Sequence, residues 1–289
     1  MKPGPFTYHA PRTLEEALSI LASVSEDEGR VIAGGQTLIP AMALRLARPN
    51  HLIDINGVDE LRRFGEVDGF LHIGACVRHV QCTSAPVQGP LKELLRTVVR
   101  HIAHFPIRTR GTFCGSLANA DGASEWCLVA LTLDARMLAQ SVHGKRIIPA
   151  ADFFQGYMTT ALAPEEILTG VQLPVLAPDV RFGFDEISRR AGDFAQAMCL
   201  VTFSASGGIM RDVRVGVGGI AGQPLRIPQA ERACEGRPLD AKVFKEAAAL
   251  AAQSVDPTVG TSDAELRYRK TLVRTTVERA LMRAAQIAS

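Results

Sequence analysis

The sequence predicts an α+β protein, and three observations carry that prediction. Strand-like and helix-like runs do not alternate in the regular manner of a doubly wound sheet. From about Val180, strand-like runs at Gly183–Ile187, Met198–Ser206 and Val213–Val217 follow one another across Gly-rich or charged turns, as in an antiparallel meander. Two helical stretches, about Ala241–Ser254 and Ala264–Ala288, then close the chain.

The earlier elements follow in order. Thr13-Leu-Glu-Glu16 is an N-cap with an acidic first turn, and Ala17, Leu18, Leu21 and Ala22 recur at helical spacing to about Val24. Val31-Ile-Ala33 reads as a short buried strand that ends at Gly34-Gly35. Pro40, suited to a first helical turn, opens a helix through about Leu46. His51–Ile55 and Phe70–Ile73 read as strands, and Leu91–Ala103 as a helix broken before Pro106. Arg110–Asn119, rich in Gly, Ser and Thr, reads as a loop. Arg136–Leu138 and Arg146–Ile148 form the arms of a hairpin around His143-Gly144, and Ile167–Leu173 is a strand ending at Pro174. The Pro174–Pro178 stretch divides the chain into 1–177, with subdomains of about 1–56 and 57–177, and 178–289.

Composition excludes several classes. A chain of 289 residues with 32 basic and 30 acidic side chains offers no electrostatic footprint for nucleic acid. No apolar run approaches the ~18–20 residues of a membrane helix. Pro3, Pro5 and Pro11 interrupt the place where a signal peptide needs its apolar segment, so a cytoplasmic protein is expected. The six cysteines contain no C-x-x-C, which suits neither a zinc site nor an iron–sulfur cluster and points to buried thiols.

Motif inspection narrows the chemistry further. Gly216-Val-Gly-Gly-Ile-Ala221 fits G-x-G-x-x-A after a strand, but Gly222, Pro224 and Pro228 leave no helix for a pyrophosphate to meet, so a glycine-bent strand end is expected. His101 and His104 form an H-x-x-H without a third ligand nearby, and packed or capping histidines are expected there. No metal ligands and no catalytic acid, base or nucleophile are assigned. Two stretches stand out instead. Ala33-Gly-Gly-Gln-Thr37 offers consecutive main-chain N–H groups with no Cβ at its centre, and Gln36 and Thr37 add side-chain donors. Gly111-Thr-Phe-Cys-Gly-Ser-Leu-Ala-Asn-Ala-Asp121 has the same character, and the pair could clamp two sides of one diphosphate. Neither contains a lysine, so binding would rest on amide dipoles.

These residues resemble a known family. Ala33–Asn56 (AGGQTLIPAMALRLARPNHLIDIN) is similar to the first FAD loop of the flavin subunit of molybdenum hydroxylases, the group of carbon monoxide dehydrogenase medium subunits and xanthine dehydrogenase flavin domains. Ile102–Glu125 (IAHFPIRTRGTFCGSLANADGASE) resembles the second FAD loop, and EEILTGVQLP (Glu165–Pro174) and FDEISRRAGDFA (Phe184–Ala195) match the next two landmarks in order. The resemblance implies a two-subdomain flavin-binding fold of the PCMH, vanillyl-alcohol-oxidase-like type, followed by a C-terminal domain of antiparallel sheet and helices. It implies that Ala33, Gly34, Gly35, Gln36, Thr37 and Leu38 hold the pyrophosphate and that Thr112, Cys114, Gly115 and Ser116 continue the grip. Asn119, Asp121 and Glu125 would face the ribityl or adenosine part, Leu168 would pack on the cofactor, and Asp193 and Phe194 would lie near the isoalloxazine.

Two positions depart from the family pattern. Cys114 stands where a glycine is usual, so the loop would sit further from the cofactor or the thiol would turn outward, and Gly122 replaces a common proline. The implied activity is that of an oxidoreductase subunit. Electrons would pass from a small [2Fe-2S] subunit through FAD to an external acceptor, while a large subunit carries molybdenum, in a dimer of heterotrimers. A stand-alone flavin oxidase or reductase is the alternative, though no His/Tyr/Asp set for a substrate is evident. An assembly subunit that has lost FAD is opposed by the glycines at 34, 35 and 115.

Overall fold

The computed structural model describes residues 2–256 and 262–286, so the expected helix end at Ala288 lies outside the described residues. Strands β1 (Thr7–His9), β2 (Gly29–Ile32) and β3 (His51–Asp54) form a parallel sheet in the order β1-β3-β2, with helices α1 (Leu14–Val24) and α2 (Leu38–Ala43) between them. Thr13 caps α1 as its sequence demands: its hydroxyl accepts from Glu16 N at 3.1 Å, and Ala17, Leu18 and Leu21 are buried.

A second sheet is antiparallel, in the order β4-β5-β10-β6-β7. It is built from β4 (Phe64–Val67), β5 (Phe70–Gly74), β6 (Arg136–Ser141), β7 (Gly144–Pro149) and β10 (Ile167–Pro174). The β6–β7 hairpin turns at His143-Gly144 as expected. Helices α3 (Pro90–Val98), α4 (Phe105–Arg108), α5 (Phe113–Asn119) and α6 (Glu125–Thr132) fill the interval between β5 and β6. A short helix α7 (Ala150–Phe153) and a small hairpin, β8 (Phe154–Gly156) and β9 (Thr159–Thr160), precede β10.

Three elements differ from expectation for identifiable reasons. Helix α2 runs from Leu38 to Ala43 rather than from Pro40 to about Leu46, and Arg45 just beyond it adopts φ +60°. The helix expected to run to Ala103 ends at Val98, because Ala103 adopts φ +41° and the Arg108 guanidinium takes the Ile102 and Ala103 carbonyls at 2.7 Å each. The stretch read as a loop at Arg110–Asn119 becomes α5 from Phe113 onward. Thr112 supplies its cap, and Phe113, Cys114 and Leu117 give it one buried face.

The C-terminal part is an antiparallel sheet, β11 (Val180–Ser188), β12 (Ala195–Ser206), β13 (Ile209–Gly218) and β14 (Leu225–Arg226), followed by α8 (Pro228–Cys234), α9 (Ala241–Ser254) and α10 (Asp263–Gln286). Period-two alternation gives this sheet two apolar faces. Phe182, Phe184, Met198 and Leu200 join the core that contains α3 and α6, whereas Cys199, Val201, Val215 and Val217 pack with α9 and α10. In register, Phe184 faces Leu200 and Leu200 faces Gly216. A Cβ at Gly216 would strike the Thr132 hydroxyl and lie 2.8 Å from Leu128 Cδ1 of α6, so the G-x-G-x-x-A string marks a close helix approach at a strand end. All six cysteines are buried free thiols.

Overpacking of such a contact costs about 1–3 kcal/mol. Gly216→Val is therefore expected to lower the thermal midpoint by several degrees, measured by calorimetry; an unchanged midpoint would refute the tight approach of α6 to β13.

Candidate functional site

The fold brings the two singled-out stretches into direct contact. A Cβ on Gly34 would lie 2.6 Å from the Arg110 carbonyl oxygen and 2.7 Å from Gly111 Cα, so the β2–α2 corner touches the chain entering α5, main chain to main chain. Gly35 has φ +68°, a conformation natural to glycine. Among the described residues the main-chain N–H groups of Gly34, Gly35, Gln36 and Thr37 make no hydrogen bond to another protein group. Four consecutive unpaired donors on a half-exposed corner form a cradle for an anion.

Not every expected donor is free. The Gln36 amide is turned back onto the Gly34 carbonyl at 3.0 Å, so it braces the corner. Thr37 occupies the N-cap position of α2 without a capping hydrogen bond and is exposed, so its hydroxyl is available. Leu38 begins the helix itself.

In the second stretch the Thr112 hydroxyl accepts from Gly115 N at 3.0 Å and is thereby committed to capping α5. Gly115, Ser116 and Asn119 share the half-exposed face of that helix. Cys114 belongs to the opposite face. Its thiol is buried and donates to the Ile73 carbonyl at 3.4 Å, with burial pushing its pKa up. The thiol thus turns inward to the core rather than outward, and the exposed face of α5 is left to the smaller residues.

The entry to α5 is firmly fixed. His79 N donates to the Gly111 carbonyl and Phe113 N to the Val77 carbonyl, both at 3.0 Å. Buried Trp126 stacks on Phe113 at 4.5 Å and donates from Nε1 to His79 Nδ1 at 2.9 Å. Burial holds the His79 pKa down to about 4, so the ring is neutral and can accept that bond.

The remaining expected residues are spread over several elements. Asp121 accepts from Ala123 N at 2.9 Å, while the Ala120 and Gly122 carbonyls accept from Met158 N and Gly219 N. Glu125 opens α6 and is buried. Leu168, also buried, lies on β10 at a register slip, and α5 packs against that strand. Asp193 and Phe194 sit in the β11–β12 turn, where Phe194 is 70% exposed. That turn is placed beside the helical segments, because Gly192 abuts the His104 ring just ahead of α4. His104 and His101 serve different places: His101 packs edge-on against Phe184 at 4.9 Å.

Sequence reading missed the cationic component. Arg78 is half-buried, and Arg62 and Arg110 lie close enough to press its pKa down, although burial is the larger cause. Asn56, within the quoted first motif but given no role, links the corner to Arg78.

Two buried carboxyls line the seam between the N-terminal part and β11. Burial raises Glu125 to about 7 and Glu186 to about 8, each further raised by neighbouring acids, Asp121 for the former and Glu125 and Asp185 for the latter. Glu186 Oε2 has no hydrogen-bond partner and lies 3.7 Å from His101 Nδ1. Burial and the Arg283 charge lower the His101 pKa, so this contact joins two neutral groups at neutral pH.

Comparison with known proteins gives consistent matches. Residues 4–176 match the family described as FAD binding domain in molybdopterin dehydrogenase, and residues 182–284 match the CO dehydrogenase flavoprotein C-terminal domain. The nicotine 6-hydroxylase medium subunit of Paenarthrobacter nicotinovorans is 36% identical over 98% of this chain and 99% of its own. The carbon monoxide dehydrogenase structure from Hydrogenophaga pseudoflava superposes with a TM-score of 0.92, 32% identity and 99% coverage of both chains. Quinoline 2-oxidoreductase from Pseudomonas putida 86 gives 0.91 and 34%, covering 100% of this chain and 99% of that one.

Two outcomes are expected from this geometry. Gly34→Ala forces the loops apart and should weaken FAD binding at least tenfold in a titration of the flavin-free chain, since about 1.4 kcal/mol of lost contact suffices. The folded chain holds protons on Glu125 and Glu186 that the unfolded chain has released above an ordinary pKa of 4.5, so their contribution to stability should be lost as pH rises from about 4.5 and level off once it has passed 7 to 8. Glu186→Gln, a neutral isostere, should raise the midpoint at pH 8.5 by ~2–4 °C more than at pH 6; an equal effect at both would show that Glu186 does not titrate there.

Proposed function

The chain belongs to the family of FAD-binding subunits of molybdenum hydroxylases, and from that premise we propose that it is the electron outlet of a multi-subunit enzyme of this class. It binds FAD and is part of an oxidoreductase. In the proposed arrangement electrons arrive from [2Fe-2S] clusters of a small partner subunit, substrate is oxidised on a large molybdenum subunit, and an external acceptor takes the electrons away. Bound FAD supplies the redox chemistry; the chain supplies the seat.

The observation that carries this reading is the run of unpaired N–H groups at Gly34–Thr37 held against the chain entering α5. Such a cradle suits a diphosphate. We assign Ala33–Leu38 and Thr112, Cys114, Gly115 and Ser116 to that end of the cofactor, Cys114 through its main chain. Asn119, Asp121 and Glu125 are assigned to the ribityl or adenosine part, Leu168 to packing, and Asp193 and Phe194 to the isoalloxazine side. Residues 1–177 are assigned to the FAD-carrying domain and 178–289 to the C-terminal domain. The exposure of Phe194 at a turn near His104 agrees with a ring edge open to partner and acceptor.

Names of relatives support a multi-subunit setting: nicotine 6-hydroxylase has a "medium subunit", and the caffeine dehydrogenase relative is called subunit beta. No helix among the described residues is long and apolar enough to cross a membrane.

The full chain is expected to purify yellow with about one FAD per polypeptide, to co-purify from its source with iron–sulfur and molybdenum subunits, and to oxidise no heterocycle or aldehyde by itself. Turnover by the isolated chain would favour a stand-alone flavin enzyme, and a colourless chain that ignores added FAD would overturn the reading.

A further inference from the structure

The corner and the entry to α5 are joined by a side-chain network as well as by contact. Asn56 Nδ2 donates to the Ala33 carbonyl and to Asp54 Oδ1, both at 2.6 Å, while its Oδ1 accepts from Arg78 Nη2 at 2.6 Å. The other arm of the guanidinium, Nη1, donates to the Arg110 carbonyl. Asp54 is itself anchored, accepting from Asn56 N at 2.9 Å and from the Tyr8 hydroxyl at 2.5 Å. The path therefore runs from β1 and β3 through Asn56 and Arg78 to the peptide that Gly34 touches.

We propose that Asn56 and Arg78 form a strut that sets the separation and aim of the two FAD loops, making both of them positioning residues for cofactor binding. The inference rests on the FAD reading given above. Its chemistry is specific. Both amide hydrogens and the carbonyl of Asn56 are used in different directions, and neither Asp nor Ala reproduces that set. Arg78 reaches two acceptors on different segments with one rigid fork, which an ammonium on a flexible stem does not reproduce.

The consequence for the cradle follows from peptide geometry. In a trans peptide the N–H points opposite to the C=O. Drawing the Ala33 carbonyl towards Asn56 turns the Gly34 N–H away from the strut, and that N–H has no partner among the described residues. Holding the Arg110 carbonyl from the other side keeps the second loop against Gly34. Arg78 also sets a positive charge behind the corner, with Arg62, whose guanidinium donates to the Asn56 carbonyl, beside it.

The test uses the full chain stripped of flavin and titrated with FAD, read by flavin fluorescence and by the visible circular dichroism of the bound flavin, alongside the thermal midpoint of the apo form. Wild type should bind. Asn56→Ala, Asn56→Asp and Arg78→Met should each weaken FAD by roughly tenfold or more, as loss of a hydrogen bond to a charged or committed group implies. Arg78→Lys should fail to restore affinity, and the double variant Asn56→Ala/Arg78→Met should be little worse than the weaker-binding single variant, as expected for one unit. The bound-flavin dichroism should change in the variants that still bind. Wild-type affinity and dichroism in the folded Asn56 and Arg78 variants would overturn the strut, as would full rescue by lysine. Should Arg78→Met fail to fold, Asn56→Asp decides by the same readings. A wild-type chain that does not bind FAD would instead overturn the underlying functional reading, and the strut with it.

Discussion

The structure depends on one main-chain contact, that of Gly34 with Arg110 and Gly111. The two sides come from different parts of the fold: Gly34 follows β2 of the parallel sheet, and Arg110 and Gly111 lie between α4 and α5, in the stretch that connects β5 and β6 of the antiparallel sheet. No side chain can be interposed at that point, so the surrounding residues have to fix the approach. The energy comes from burial: Phe113 and Trp126 are fully buried, each contributing about 1.5–3 kcal/mol or more by removal from water. The hydrogen bonds of His79, Asn56 and Arg78 contribute roughly 1 kcal/mol each on a net basis and act mainly as geometry, since leaving any of them unmade costs more than making it gains.

Helix α6 couples this site to the rest of the molecule. All eight of its residues are buried, so it has no solvent face, in contrast to the amphipathic α3. On one side its Trp126 stacks on Phe113, and on the other its Leu128 and Thr132 meet Gly216 of the C-terminal sheet. The helix begins at the segment expected to contact the cofactor. Its first residue, Glu125, shows two opposing effects: a helix N-terminus favours a carboxylate by about 0.3–1 kcal/mol, whereas burial favours the acid. Burial wins, and the pKa moves up to about 7. The adjacent Glu186 follows for the same reason.

Much of this was legible in the sequence wherever a local pattern and its tertiary role coincide. Thr13 announced α1, the β6–β7 hairpin was visible around His143-Gly144, and the helix at Ala241–Ser254 was read with its observed bounds. The site's first loop was legible because two glycines between a strand and a proline are informative by themselves. Helix α5 was hidden by its composition: Gly115, Ser116 and Asn119 are poor helix formers on the half-exposed face, and three buried positions after a Thr cap outweigh them. The early end of α3 was hidden because it depends on Arg108 folding back on two carbonyls. Asn56 and Arg78 were hidden because their partners lie 23 and 32 residues away and are main-chain oxygens, which carry no sequence signal.

That last omission changes the electrostatics of the corner. Neither loop has a lysine, and dipoles alone were expected to hold an anion. Arg78, however, spends its two arms on a carbonyl and an amide oxygen, and among the described residues no carboxylate is one of its hydrogen-bond partners. The acid that acts on it is Asp54, whose oxygens are already engaged by Tyr8 and Asn56. A half-buried cation with neutral partners, flanked by Arg62 and Arg110, keeps most of its charge uncompensated. An anion on the neighbouring N–H groups would offset that charge at a distance where partial burial limits screening. The corner is therefore better described as a dipolar cradle backed by a fixed cation, and the cation holds the cradle's shape through the same two arms.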